Sequence, residues 1–225
     1  MKLDDVVPLH VADVTYPADH PLAGTTGPVL AFAVRHPHGL ILVDTGVAFG
    51  NEWIDEHYQP RARPIREALR AASLDPDDVR AVVNTHLHFD HAGQNAAFPR
   101  LPIVVQQSEW DDAWSPGSSA SAWLDFAEAR YQRVSGDVEL AAGVHVLATP
   151  GHTAGHQSVT VDTDDGLVLL VGQAAQDART FAQGETDASV QRLRALNAMR
   201  IHFSHDRAVL RRTPGHETTV PGPRH

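Results

Sequence analysis

With 225 residues, 42% of them apolar, the chain is long enough for a single domain, residues 1–225, with a full core. It has no apolar run that would cross a membrane, no secretion signal in its opening MKLDDVVPLH, and no cysteine for disulfides or thiolate-held metal. These features point to the cytoplasm, and a net charge of −10 disfavours nucleic acid as a partner.

In chain order, Val6–Tyr16 and Val29–Arg35 alternate or run apolar and are predicted as strands. A turn at His36–Gly39 leads to a buried strand, Leu40–Val43, that ends in Asp44-Thr45-Gly46. Helical spacing is predicted over Arg63–Ala72, with Pro64 near its start, and a short capped helix after Leu74. Strands follow at Ala81–Asn84 and Pro102–Gln106, then helices at Glu109–Trp114 and Trp123–Gln132 around a loop at Ser115–Ser121. Val144–Ala148, Ser158–Val161 and Leu167–Val171 read as strands, Asp187–Met199 as a helix capped by Asp187, and Ile201–Phe203 as a last strand. The order strands-then-helix occurs before about residue 135 and again after it, which suits an α/β sandwich of two sheets flanked by helices.

The chemistry concentrates in histidines, of which there are fifteen. His10, His20, His36, His38, His57, His145, His202, His216 and His225 are expected on the surface. The others fall at strand ends. In Thr85-His86-Leu87-His88-Phe89-Asp90-His91-Ala92-Gly93, His86 and His88 are two apart, so on extended backbone both rings share a face and reach one ion. Asp90 and His91 approach from beyond a turn. Imidazole and carboxylate suit zinc, iron or manganese. One loop does not enclose an ion, so distant ligands are needed: His152 in Thr149-Pro150-Gly151-His152-Thr153-Ala154-Gly155-His156, and His205 in Phe203-Ser204-His205-Asp206, each after an apolar strand.

The ordered set HLHFDH, TPGHTAGH and SHD resembles the metallo-β-lactamase superfamily of hydrolases, and within it THLHFDHAG with TPGHTAGHQS is similar to the N-acyl-homoserine lactonase branch. The likeness covers about residues 28–210. It implies a four-layer αββα sandwich, the metallo-β-lactamase fold. It also implies one or two zinc ions, the first bound by His86, His88 and His152 and the second by Asp90, His91 and His205. Asp90 would also hold or shuttle a proton. Asp44 has two readings, a carboxylate that orients a ligand histidine or a plain turn residue. His156 is expected to hydrogen-bond within its loop rather than bind metal.

The chain departs from the family in one segment. Where the family bridges its metals with the aspartate of a Gly-Asp-Ala segment, this chain has Gly172-Gln173-Ala174. Three outcomes are open: Gln173 ligates through its carbonyl, Asp177 takes its place, or the second ion binds weakly. The branch's tyrosine three residues further on is Gln176 here, with Tyr131 as a conceivable substitute. The resemblance implies opening of a lactone ring by a metal-activated water. The alternatives are another hydrolase of the fold, such as a glyoxalase II-like thioesterase, or a non-catalytic metal- or ligand-binding descendant. A thioesterase of that kind carries an added C-terminal helical region, whereas the sequence ends about twenty residues after His205. The expected partner is a small lactone or ester, and a homodimer is allowed. Trp110, Trp114 and Trp123 fit three roles: an acyl-chain pocket, a dimer contact or core.

Overall fold

A computed structural model describes residues 1–184, 186–213 and 216–220. Among these, two seven-stranded sheets face each other. The first is ordered β4 (Arg61–Ala62), β1 (Val6–Thr15), β2 (Thr26–His36), β3 (Gly39–Val43), β5 (Val79–Val83), β6 (Pro102–Gln106), β7 (Arg130–Val134). The second is ordered β14 (His216–Val220), β13 (Val209–Thr213), β12 (Arg200–His202), β11 (Gly166–Leu170), β10 (Gln157–Thr163), β9 (Val144–Ala148), β8 (Val138–Ala141). The chain therefore passes from one sheet to the other between residues 134 and 138, at the halving visible in the sequence.

Strand periodicity sets the layers. Along β2, Val29, Ala31 and Ala33 face outward and Leu30, Phe32 and Val34 face the other sheet. Both faces are buried, so the strand reads as a continuous apolar run. Outward residues of the first sheet pack on α1 (Glu52–Tyr58) and α2 (Ile65–Ala71) through Ile54, Ile65 and Leu69. Between the sheets, Phe32, Val43, Val83 and Val104 meet Val146, Val159, Val168 and Leu170. The outer face of the second sheet, Leu169 and Val171, packs on α5 (Ala178–Gln183) and α6 (Ala188–Ala195) through Phe181, Val190 and Leu193. The layers are thus helix, sheet, sheet, helix. The short α3 (Gln107–Ala113) and α4 (Ser121–Leu124) close one edge over Leu87 and Val105.

Several elements differ from the sequence reading. The helix expected over Trp123–Gln132 stops at Leu124. Glu128 adopts a left-handed φ of 63° and Arg130–Val134 becomes β7, paired in parallel with β6. The spacing of Trp123, Phe126 and Tyr131 imitated a helix, but an open edge of β6 demanded a partner strand. Two helices were missed. In α1 only Ile54 is buried, so it lacks an apolar stripe, although Asn51 caps it by accepting from Ile54 N. In α5 the cap is Asp177, whose carboxylate accepts from Thr180 N at 2.7 Å. Asp187 caps α6 as expected. Of the histidines assigned to the surface, His36 and His202 are buried. His225 lies outside the described residues, and His216 is described by its backbone only.

Candidate metal centre

The site forms where β5, β9, β11 and β12 end. After β5 the chain bends, and alternation persists through the bend: Leu87 turns into the apolar cluster with Val105 and Leu124, while His86 and His88 turn the other way. His86 Nε2 lies 3.1 Å from His88 Nδ1, which lies 3.1 Å from His152 Nε2. A second group holds Asp90, His91 and His205. His91 Nε2 is 3.1 Å from His205 Nε2, and Asp90 Oδ2 is 3.6 and 3.4 Å from those two nitrogens. Within each group all donor atoms lie within 4.8 Å of one another. The His86 and His91 rings stand 4.0 Å apart, so the groups adjoin.

Outer partners set the tautomers. Asp44 is buried at φ 61°, a left-handed conformation that aspartate tolerates. Its carboxylate accepts from Thr85 N, Thr85 Oγ1 and His91 Nδ1 at 2.7–2.8 Å. Because Thr85 Oγ1 donates to Asp44, it accepts from His86 Nδ1 at 3.1 Å. His205 Nδ1 donates to Pro28 O at 3.1 Å. In His86, His91 and His205 the Nδ1–H is thereby spent and the Nε2 lone pair is turned to the centre.

Protonation follows burial and neighbours. Desolvation, reinforced by adjacent rings, holds His86 well below the ordinary histidine range and His152 at about 3. Desolvation, only partly offset by Asp90, brings His205 to about 4. Burial also opposes a charge on His91, but Asp90 and Asp44 outweigh it and raise that ring. The neutral lone pairs of His86, His88 and His152 converge on one point and repel, and a cation relieves that cost. Nitrogens 2.0–2.1 Å from one tetrahedral zinc are about 3.3 Å apart, close to the 3.1 Å spacings here. The donor set and its spacing therefore fit divalent metal.

The remaining candidates fall into place around this centre. His156 has both nitrogens committed, Nδ1 donating to Thr149 O and Nε2 accepting from Gln173 N at 2.9 Å. Gln173 Nε2 donates to Gln176 Oε1 at 3.1 Å, beside the His91 ring. Asp177 is not available as a ligand, because its carboxylate caps α5. Tyr131 is not at the centre either: its hydroxyl donates to Leu124 O and accepts from Asn95 within the core. Trp110 and Trp123 pack against the α3–α4 cluster, and Trp114 is exposed.

Sequence reasoning missed Glu109. This buried carboxylate on α3 accepts from Leu87 N at 2.8 Å, Thr153 Oγ1 at 2.6 Å and Gly155 N at 3.2 Å. It fastens the His86–His88 loop to the His152 loop. Gly155 is required there, since a Cβ on it would fall 2.1 Å from Glu109 N. The glycine in TPGHTAGH was a visible signal of such a close approach; nothing local named its partner.

The model of the metallo-β-lactamase superfamily matches residues 24–211. This chain belongs to that superfamily. An N-acyl homoserine lactonase of Bacillus thuringiensis is 33% identical over 167 residues, covering 68% of this chain and 66% of its own length. The chain thus spans slightly less than two thirds of the length of the curated relatives it matches. The structure of a single-substitution mutant of B. thuringiensis AiiA with N-decanoyl-L-homoserine at its active site superposes with a TM-score of 0.77 at 27% identity, over 92% of this chain and 94% of that one. An N-acyl homoserine lactone hydrolase with N-hexanoyl-L-homoserine at its catalytic metal centre gives a TM-score of 0.73 at 28% identity, over 89% and 92% of the two chains. The two facing sheets and flanking helices are the metallo-β-lactamase fold.

Proposed function

We propose that the chain hydrolyses the lactone ring of N-acyl homoserine lactones. The reading is carried by two adjoining three-residue donor groups in a chain 33% identical to an N-acyl homoserine lactonase. His86, His88 and His152 would hold one ion, and Asp90, His91 and His205 a second. Zinc suits this nitrogen-rich set. The ions, when bound, supply Lewis acidity and lower the pKa of water toward neutrality. Asp44 keeps the His91 tautomer and Thr85 that of His86, so both rings face the centre without rearrangement. Asp90, with its carboxyl held below the usual range by His91 and His205 despite burial, stays ionised and accepts a proton at Oδ2.

Phe89 sits between His88 and Asp90 in sequence and packs on Tyr58 at 4.6 Å, which meets exposed Trp53 at 5.8 Å. This aromatic run leads from the centre to the surface and is the wall we assign to the acyl chain. Residues 1–225 are read as one domain acting in the cytoplasm, and exposed Trp114 as a contact for a homodimer; among the described residues no helix is long and apolar enough to cross a membrane. A thioesterase or a purely binding role is disfavoured by the lactonase relatives. A pH-indicator assay over a panel of acyl homoserine lactones and one open-chain thioester tests the proposal. Lactone turnover that a chelator abolishes and zinc restores is expected. A zinc-loaded protein that opens no lactone would overturn it.

A further inference from the structure

Tyr16, just past the end of β1, is almost fully buried, yet its hydroxyl is engaged by a residue 160 positions away: Gln176 Nε2 donates to Tyr16 Oη at 2.8 Å. Its ring is stacked on His20 at 4.3 Å and lies in a slot left by Gly27, where a Cβ would fall 2.6 Å from Oη. The next residue of β2, Pro28, supplies the carbonyl that holds His205. Tyr16 is also close enough to Asp90 to feel its charge. The tyrosine therefore flanks the Asp90–His91–His205 group.

From Tyr16 a hydrogen-bonded chain runs inward. Gln176 donates to Tyr16 and Gln173 donates to Gln176, which brings the chain beside the His91 ring. An amide has one oxygen end and one nitrogen end, so a chain of two amides has a direction. With Tyr16 as acceptor, Gln173 Nε2 is spent on Gln176 and Gln173 Oε1 is turned to the second donor group. With every bond reversed, Tyr16 would donate, and the Gln173 amino group would face the cation position, where its positive end is repelled. A carboxylate at position 173 would need no such guidance, because both its ends are oxygen.

We infer that Tyr16 and Gln176 form a relay that points the Gln173 carboxamide oxygen at the Asp90–His91–His205 group, making Tyr16 a positioning residue for the second metal ion. This rests on the metal-centre reading of the proposed function. The relay explains how a neutral side chain serves where the family has an aspartate: with its amino group held by Gln176, the oxygen is left for the cation position.

The test is titration of the metal-stripped full-length protein with Zn²⁺ against a chromophoric chelator. Tyr16→Phe keeps the ring and its stacking but removes the hydroxyl. It is expected to weaken the second Zn²⁺ about two- to tenfold, the value of one hydrogen bond, and to leave the first unmoved. Gln176→Ala should do the same, and combining the two should add little, because they act in one chain. In a Gln173→Asp background, Tyr16→Phe should have no effect on either affinity. An equal loss with Asp or Gln at 173 would overturn the relay and make Tyr16 merely structural. Uptake of a single ion, unmoved by Tyr16→Phe, would overturn the relay while leaving the first group standing. No uptake in any variant would overturn the metal centre and the relay together.

Discussion

Replacing Glu109 by alanine should loosen the metal centre without touching a ligand. The carboxylate is 3% exposed and takes three hydrogen bonds, from Leu87 N, Thr153 Oγ1 and Gly155 N. Thr153 is half-buried and its hydroxyl can rotate toward another acceptor; the two backbone N–H groups cannot. Each buried orphaned donor costs about 1–3 kcal/mol, so Glu109→Ala should destabilise the metal-free protein by about 2–6 kcal/mol. That is a large part of the roughly 5–15 kcal/mol that holds a typical domain folded. Glu109→Gln keeps an oxygen for Leu87 N but sets an amino group against Gly155 N–H, so about half that loss is expected. Urea unfolding at pH 7 followed by circular dichroism gives both values, and zinc titration should show the His86–His88–His152 ion weakened in both variants. A loss below about 1 kcal/mol for Glu109→Ala, with first-ion affinity unchanged, would refute the role of Glu109 as the clamp between the two loops.

Other expectations follow from single contacts. Asp44→Asn replaces the charged acceptor of His91 Nδ1–H; losses of about 10- to 100-fold in metal affinity are usual for such partners, and zinc titration should place the loss on the second ion. His202 is buried, its Nε2 has no hydrogen-bond partner among the described residues, and desolvation together with Arg200 and Arg211 lowers it to about 3. Folding therefore depresses its pKa from about 6.5, so stability is full above that value and is lost as pH falls, by about 1.4 kcal/mol per unit. Between pH 7 and 5 the metal-free protein should lose about 2 kcal/mol more than His202→Phe in urea unfolding, and parallel losses would show that the ring is not buried neutral. Trp53→Ala should raise KM more for long acyl chains than for short ones, at up to about 0.8 kcal/mol for each methylene left uncovered; a uniform change across chain lengths would remove Trp53 from the acyl wall.

Much of the centre was legible because its information is local. A two-residue histidine spacing after an apolar strand fixes which way the rings turn, and the pleat of β5 carried that alternation into the loop. The layers were legible for the same reason, since runs such as Val29–Val34 need two apolar neighbours. What the sequence hid is long-range. Glu109 and Tyr16 look like an ordinary helix glutamate and a strand-end tyrosine until folding brings them to partners 46 and 160 residues away. The Arg130–Val134 strand was hidden because its place is decided by the edge of β6 rather than by its own pattern, in which three of five residues are exposed. Gln173 was marked as a departure by its position alone. Its hydrogen-bonded chain to Tyr16 needed the fold.

The measurement that bears most directly on the whole account is an anomalous-scattering map from crystals of the zinc-loaded protein. The account predicts two zinc peaks, one among His86, His88 and His152 and one among Asp90, His91 and His205. A map with no peak at either group, from protein loaded with excess zinc, would contradict it.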